Sequence, residues 1–216
     1  MTEFTPLLRS LYRGPRGAAH GVADPYRDEV PGLDVPGGAR RRRRNLEAYL
    51  EHLGKPRLVL LGEAIGYRGG RFSGIAFTSE RQLAGDGPER LAWTAGRFAA
   101  SSANPRLWLE PSGTVVWGAL GGEPRGVLLW NAFPWHPYGP RGPLSNRAPE
   151  RILLEENLHV LERLLAATAG ARIAAVGRTA SAALARLGVE APALRHPAHG
   201  GAALFRAQLA ALRAPG

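Results

Sequence analysis

The chain of 216 residues contains no cysteine, one lysine and one methionine. Without cysteine it cannot form disulfide bonds, a thiolate nucleophile, zinc–thiolate sites or cysteine-held iron–sulfur clusters. No segment approaches the roughly 18 apolar residues of a membrane span, and the N-terminal residues lack the apolar core of a signal peptide. The H-E-x-x-H spacing of metalloprotease zinc sites is also missing. We therefore expect a cytoplasmic protein without a membrane partner, a bound metal or a cofactor.

The basic residues are almost all arginine, and they exceed the acidic ones. The chain has 28 basic and 18 acidic residues, which gives a formal net charge of +10. A codon bias toward arginine would explain the scarcity of lysine but not the net excess of positive charge. That excess favours a polyanionic partner. The run Arg40–Arg44 is the densest cluster, and it is either a solvated face or a phosphate contact.

Segments with strand and helix patterns alternate along the chain, which is typical of a parallel sheet covered by helices on both faces. We expect a three-layer α/β/α domain with a central, mainly parallel four-stranded sheet over residues 46–216. Residues 1–45 are expected to form an irregular arm, rich in Arg, Gly and Pro, that packs on this domain. The strand candidates are residues 57–61, 114–120, 126–131, 172–176 and a short segment near 191–195. The helix candidates are residues 46–53, a helix capped by Ser79 and Gln82, residues 149–169, residues 179–187 and a last helix from about 202.

Three polar stretches follow predicted strands, where parallel folds bind their ligands. They are residues 62–80, 131–137 and 195–201. The first is rich in glycine, but it has no lysine for a phosphate loop, and its glycines do not match the dinucleotide fingerprint. A simple turn would explain the glycines. It would not explain Glu63 directly after a strand, or Phe77 just before a helix.

These three stretches together resemble the uracil-DNA glycosylase superfamily, in the family's order. The first, GEAIG at residues 62–66, is similar to the G-E-A-P-G of the iron–sulfur thermophilic branch, although the cluster cysteines of that branch are absent. The second is the strand that ends at Asn131, and the third is HPAHGG, which begins at His196. The likeness covers about residues 55–210 and implies an enzyme of base excision repair that acts on single- or double-stranded DNA.

The resemblance implies a role for each motif in hydrolysing the N-glycosidic bond of deoxyuridine. A base inside a duplex must first be flipped out. Phe77 would stack on the flipped base, and Asn131 would accept from uracil N3–H and donate to O4. His196 would stabilise the negative charge that develops at O2, with His136 and His199 as rivals for this role. Glu63 would position or activate the water.

The first motif departs from the family pattern beside Glu63. Ala64 stands where the best-known branch has an aspartate, and Ile65 replaces the usual proline. Gly66 occupies the position of a tyrosine that excludes the methyl group of thymine, so Tyr67 is the candidate to replace it. The expected substrate-binding residues are Gly62, Ala64, Tyr67, Phe77 and Asn131, beside the catalytic pair Glu63 and His196.

Polar residues near the motifs are expected to contact the DNA backbone. Arginine neutralises phosphate, and the N-terminus of the helix predicted at residue 149 can bind phosphate. Ala198 replaces a serine that binds phosphate in many members, so the contact at the third motif should differ. The candidates for DNA contact are Arg68, Arg71, Ser145, Asn146, Arg147, His199 and Arg206.

The leading prediction is a monomeric, monofunctional glycosylase in which water attacks the sugar. The only lysine, Lys55, lies away from the three motifs, which agrees with this mechanism. Two alternatives stay open: a catalytically weak module of the same fold that binds DNA or a damaged base, and a hydrolase of free nucleosides or nucleotides. The sequence also leaves open whether hypoxanthine, xanthine or mismatched thymine is accepted.

Overall fold

The computed structural model describes residues 2–17 and 21–214, and a four-stranded parallel sheet lies at its centre. The strands are β1 (Val22–Ala23), β2 (Leu58–Ala64), β3 (Val127–Phe133), β4 (His136–Pro137), β5 (Arg172–Val176) and β6 (Ala193–Leu194). The order across the main sheet is β3-β2-β5-β6, and each neighbouring pair is parallel. Strands β1 and β4 form a separate antiparallel pair. The predicted α/β class and the four-stranded sheet are confirmed.

Helices flank this sheet, as the alternating pattern predicted. They are α1 (Thr5–Leu11), α2 (Gly38–Leu53), α3 (Gly70–Ser73), α4 (Glu80–Ala84), α5 (Pro111–Leu120), α6 (Arg151–Glu156), α7 (Leu158–Ala167), α8 (Arg178–Arg186) and α9 (Ala202–Arg213), with 3-10 turns at Thr2–Phe4 and Ala92–Thr94. The capping box that opens α4 is present, because the Ser79 backbone N–H donates to Gln82 Oε1 over 2.9 Å. None of the helices in the described part of the chain has the length and apolar character to cross a membrane.

Strands β2 and β3 form the most buried part of the sheet. All of β3 and residues 58–62 of β2 are buried, as expected for strands covered on both faces. The two strands pair in register, with Gly62 opposite Asn131 and Ala64 opposite Phe133. Strand β2 continues three residues beyond the predicted end at Leu61. The first motif therefore begins inside the strand, and the rigid sheet fixes the position of Glu63.

The prediction of a strand over residues 114–120 is wrong, because this segment lies in α5. Pro111 occupies the first turn of the helix, and Gly121 ends it with φ at 71°. The buried residues are Gly113, Val116, Trp117 and Leu120, which is the i, i+3, i+4, i+7 spacing of a helix face. The β-branched pair of valines suggested a strand, but burial of this face determined the structure.

The helix predicted over residues 149–169 is interrupted at Asn157, between α6 and α7. The Asn157 side chain donates to the Leu153 carbonyl over 2.8 Å and to the Arg16 carbonyl over 3.1 Å. Its Oδ1 accepts the Arg16 N–H over 2.7 Å. Asn157, at this break, therefore connects the N-terminal segment to the domain through its two hydrogen bonds with Arg16.

The prediction of an irregular arm is wrong for two parts of residues 1–45. Helix α1 buries Leu7, Leu8 and Leu11 and packs against α7, because its apolar spacing gives it a core-facing side. The arginine run Arg40–Arg44 lies within α2 and not in an arm. Whether residues 1–45 are a unit apart from residues 46–216 stays a prediction.

A buried ion cluster joins the N-terminal segment to the glycine-rich loop that follows β2. Arg71 donates to both carboxylate oxygens of Asp34, over 3.0 and 2.7 Å, and Arg42 donates to the same carboxylate. Burial alone would raise the pKa of Asp34, but the hydrogen bonds and charge of Arg71 lower it. The prediction that Arg71 contacts DNA is wrong, because its side chain is fully buried in this cluster.

Candidate active site

A cavity of about 1250 Å³ lies at the carboxyl edge of the sheet. Each of the four parallel strands places a lining residue at its carboxyl end or directly after it: Glu63, Asn131, Gly177 and Leu194. The cavity brings together eight of the predicted site residues. They are Glu63, Ala64, Phe77, Asn131, Asn146, Arg147, His196 and His199.

Gly62 allows an aromatic ring and an amide to meet on the cavity wall. A Cβ atom added to Gly62 would lie 2.4 Å from Phe77 Cζ and 2.5 Å from Asn131 Oδ1. Both groups therefore occupy the space that any larger residue would fill. The predicted stacking and base-reading residues are adjacent because this position has no side chain.

Phe77 has a backbone conformation that is rare for its residue type. Its φ is 53°, and His199, which also lines the cavity, has φ at 51°. Non-glycine residues in the left-handed region are uncommon, and their strain tends to collect at functional sites. The Phe77 ring is buried and lies 6.3 Å from the His196 ring, measured between centroids. The strain therefore falls on two residues of the same cavity.

The third motif fixes the tautomer of His196. Nδ1 of the ring accepts the backbone N–H of Ala198 over 3.1 Å. In a neutral ring the proton is then on Nε2, which can donate a hydrogen bond. Burial lowers the pKa of His196, and the nearby negative charge of Glu63 acts in the opposite direction.

The isoleucine that replaces the family's proline has a structural role. The Ile65 N–H, which proline would lack, donates to the Trp135 carbonyl over 3.1 Å. The Ile65 carbonyl lies 2.9 Å from His136 Nδ1, and His136 Nε2 lies 3.0 Å from the Pro143 carbonyl. His136 is fully buried and does not line the cavity. His136 therefore stabilises the loop, and it is not an alternative to His196 for stabilising the developing negative charge.

The segment before α6 is anchored at the cavity edge. Asn146 Oδ1 accepts the Tyr67 N–H over 3.0 Å. Arg147 Nε donates to the Tyr138 carbonyl over 2.9 Å, and its Nη1 pairs with Glu150 over 3.1 Å. Asn146 and Arg147 therefore line the cavity from a segment that these hydrogen bonds hold in place.

The other predicted contacts lie outside the cavity. The Tyr67 ring packs edge-on against Trp108 at 5.4 Å, so it does not line the wall that we assigned to it. The Ser145 hydroxyl is buried in its own turn, where it accepts the Gly139 N–H and donates to the Gly142 carbonyl. Arg68 and Arg206 are exposed but do not line the cavity.

The cavity also contains residues that the sequence analysis missed. Glu110 and Ser112 come from the start of α5, which was misassigned as a strand. Leu204, on the first turn of α9, lies on the cavity rim with 53% of its surface exposed. The only sequence signal for Leu204 was its position eight residues after His196. The first turns of α8 add Arg178, Thr179 and Ser181.

An aromatic ring, an amide and an imidazole converge at the carboxyl edge of the sheet, where α/β folds of this kind bind their ligands. The family model of the uracil DNA glycosylase superfamily matches residues 50–213. The chain belongs to this superfamily, and it is accordingly a DNA glycosylase. No match was found among curated protein sequences.

The fold is similar to that of a solved structure. The crystal structure of wild-type SMUG2 from Pedobacter heparinus matches with a TM-score of 0.65. The match covers 97% of this chain and 96% of that chain at 13% sequence identity. At this identity the likeness supports the fold, while the chemistry depends on the residues of the cavity.

Proposed function

We propose that the protein is a monomeric, monofunctional glycosylase that removes uracil from DNA, in single or double strands, by base flipping and hydrolysis. The observation that carries this proposal is the meeting of Phe77 and Asn131 across Gly62, in the same cavity as Glu63 and His196. The formal net charge of +10 suits a DNA partner.

The base would lie against Phe77 and be read by Asn131. Stacking on an aromatic ring contributes about 1–3 kcal/mol, which offsets the few kcal/mol that flipping costs. The Asn131 amide accepts from N3–H and donates to O4 of uracil. Cytosine presents the opposite pattern, which a turned amide would match. Discrimination by about 1–3 kcal/mol therefore requires neighbouring hydrogen bonds that lock the orientation of the Asn131 amide.

In the hydrolytic step, the C1′–N1 bond breaks and its electron pair leaves with uracil. Nε2–H of His196 donates to O2, where negative charge develops. The Glu63 carboxylate orients a water molecule and accepts its proton as the oxygen bonds to C1′. The proton that Glu63 accepts then passes through solvent to N1 of the departing uracil, so the products are free uracil and an abasic site. Because Ala64 cannot act on water, Glu63 carries this role alone.

A gel assay with uracil-containing oligonucleotides tests this function. The wild-type protein should yield an alkali-labile product. His196→Ala should slow single-turnover cleavage by about 10²–10³-fold, in line with the loss of one donor to a developing anion. Asn131→Ala should slow it by about 10–100-fold through lost base reading. Asn104→Ala, outside the cavity, is the control and should behave as the wild type.

Two outcomes would contradict the assignment. Unchanged rates in both His196→Ala and Asn131→Ala would remove the cavity from the reaction. Tight binding of uracil-containing DNA without any cleavage would instead indicate a binding module of the same fold.

A further inference from the structure

Helix α9 contacts the third motif at two positions that are about two turns apart. Gly201, directly before the helix, is buried, and a Cβ atom added to it would overlap the His196 carbonyl oxygen. Further along the same side of the helix, the Oε1 atom of Gln208 accepts the backbone N–H of Arg195 over 2.7 Å. Because Arg195 directly precedes His196, the helix contacts the backbone on both sides of that histidine.

The sheet itself cannot hold the Arg195 N–H. Strand β6 is two residues long and pairs with β5, where the Gly177 N–H donates to the Leu194 carbonyl over 3.0 Å. A trans peptide directs its C=O and its N–H to opposite sides, so the Arg195 N–H points away from β5. In the described part of the chain no strand lies on that side of β6. Gln208 therefore supplies the acceptor that a neighbouring strand would otherwise provide.

The position of the backbone before the imidazole determines how far Nε2 of His196 reaches into the cavity. Helix α9 is a fixed support for this backbone, since its Phe205 and Leu209 side chains are buried in the core. The bond from the Ala198 N–H to Nδ1 sets the tautomer of the ring. The bond to Gln208 instead sets where the backbone that carries the ring lies. The two bonds therefore restrain different properties of the same group.

We propose that Gln208 is a positioning residue for the glycosylase reaction, which holds the Arg195 N–H so that Nε2–H of His196 meets the charge that develops on the departing base. This inference rests on the proposed function, because it concerns the group that stabilises that charge. A misplacement of about 1 Å at a catalytic group can lower a rate about a hundredfold. The Gln208 bond therefore affects the rate of excision more than the binding of DNA.

Single-turnover excision of uracil, measured over a range of concentrations of the full-length protein, separates the rate at saturation from the affinity for DNA. Gln208→Leu keeps the size of the side chain but removes the acceptor. It should lower the rate at saturation about tenfold and change the affinity by less than about twofold. Gln208→Glu keeps an acceptor oxygen and should restore the rate to within about threefold of the wild type. Arg213→Leu, which removes a hydrogen bond from α9 to the Ala119 carbonyl, is the matched control and should behave as the wild type.

Amide hydrogen exchange at Arg195, followed by NMR, reports the contact without any cleavage. It should be about fivefold faster in Gln208→Leu than in the wild type, and unchanged in Gln208→Glu. A wild-type rate of excision in Gln208→Leu would overturn the inference. Equal slowing in Gln208→Leu and Gln208→Glu, or a loss of DNA affinity as large as the loss of rate, would overturn it too. A wild type that releases no uracil would refute the proposed function, and the exchange rates would still decide whether Gln208 holds the segment before His196.

Discussion

The backbone N–H of Ala198, which lies two residues after His196 in the third motif, donates to Nδ1 of His196 over 3.1 Å. This bond requires an unprotonated Nδ1 and leaves the proton of the neutral ring on Nε2. The residue that replaces the family's serine therefore sets the tautomer of the proposed anion-stabilising group through its backbone. A substitution of its side chain would leave this bond in place.

The first prediction concerns the titration of His196. Because burial lowers its pKa, the ring should be neutral at pH 7 and should titrate below the ordinary value of about 6.5. The unfolded chain then binds the proton more readily, so this group makes folding less stable as the pH falls from about 6.5 through the folded pKa. Nitrogen NMR of the ring should show the Nε2–H tautomer at pH 7. A ring that titrates above pH 7 would contradict the prediction.

The second prediction is that Gly62→Ala disrupts the base pocket. The new methyl group would overlap Phe77 Cζ and Asn131 Oδ1. Forcing extra volume into a packed site costs about 1–3 kcal/mol, and uracil excision should fall by at least about tenfold. Denaturant unfolding and single-turnover assays measure the two effects. Gly118→Ala is the control, because a Cβ at that position of α5 meets no atom within 4 Å.

The central strands and the order of the motifs could be predicted from the sequence, because buried parallel strands form apolar runs and the polar stretches follow them. The helical structure of α5 could not be predicted in this way. Val115 and Val116 favour a strand locally, while Pro111 and Gly121 mark helix ends at a distance that a strand-length window does not span. Glu110 was missed for this reason, since its place in the cavity depends on that helix.

The positions of the arginines in the sequence were its least informative feature for predicting which side chains contact DNA. Arg71 and Arg68 are three residues apart in the same glycine-rich stretch, yet Arg71 is fully buried and Arg68 is exposed. The difference comes from Asp34, which lies 37 residues before Arg71 in the chain. A pairing at this separation is determined by the tertiary fold and has no local signal.

The third prediction is that Leu204 assists strand opening in a duplex. This side chain lies on the cavity rim with 53% of its surface exposed, and apolar wedges can unstack base steps. Leu204→Ala should slow uracil excision from double-stranded DNA about tenfold and from single strands by less than about twofold, because only the duplex requires unstacking. Ile152→Ala on α6 removes a similarly exposed apolar side chain away from the cavity. Equal slowing on both substrates would contradict a wedge role.

The fourth prediction is that Asp34→Ala strongly destabilises the fold. It would leave the buried Arg42 and Arg71 without their shared carboxylate. Removing one partner of a buried ion pair costs about 3–5 kcal/mol. Because the pKa of Asp34 is lowered in the folded protein, its contribution is present above about pH 4 and is lost as the pH falls through the folded pKa. Asp86→Asn, at an exposed aspartate, is the control, and equal unfolding free energies for the two variants would refute the prediction.

The central claim is that this cavity removes uracil from DNA by hydrolysis, and mass spectrometry of the products tests it most directly. The wild-type protein, incubated with an oligonucleotide that contains one uracil, should release free uracil and leave an intact strand with one abasic site. An unchanged oligonucleotide under conditions in which the folded protein binds it would contradict the claim.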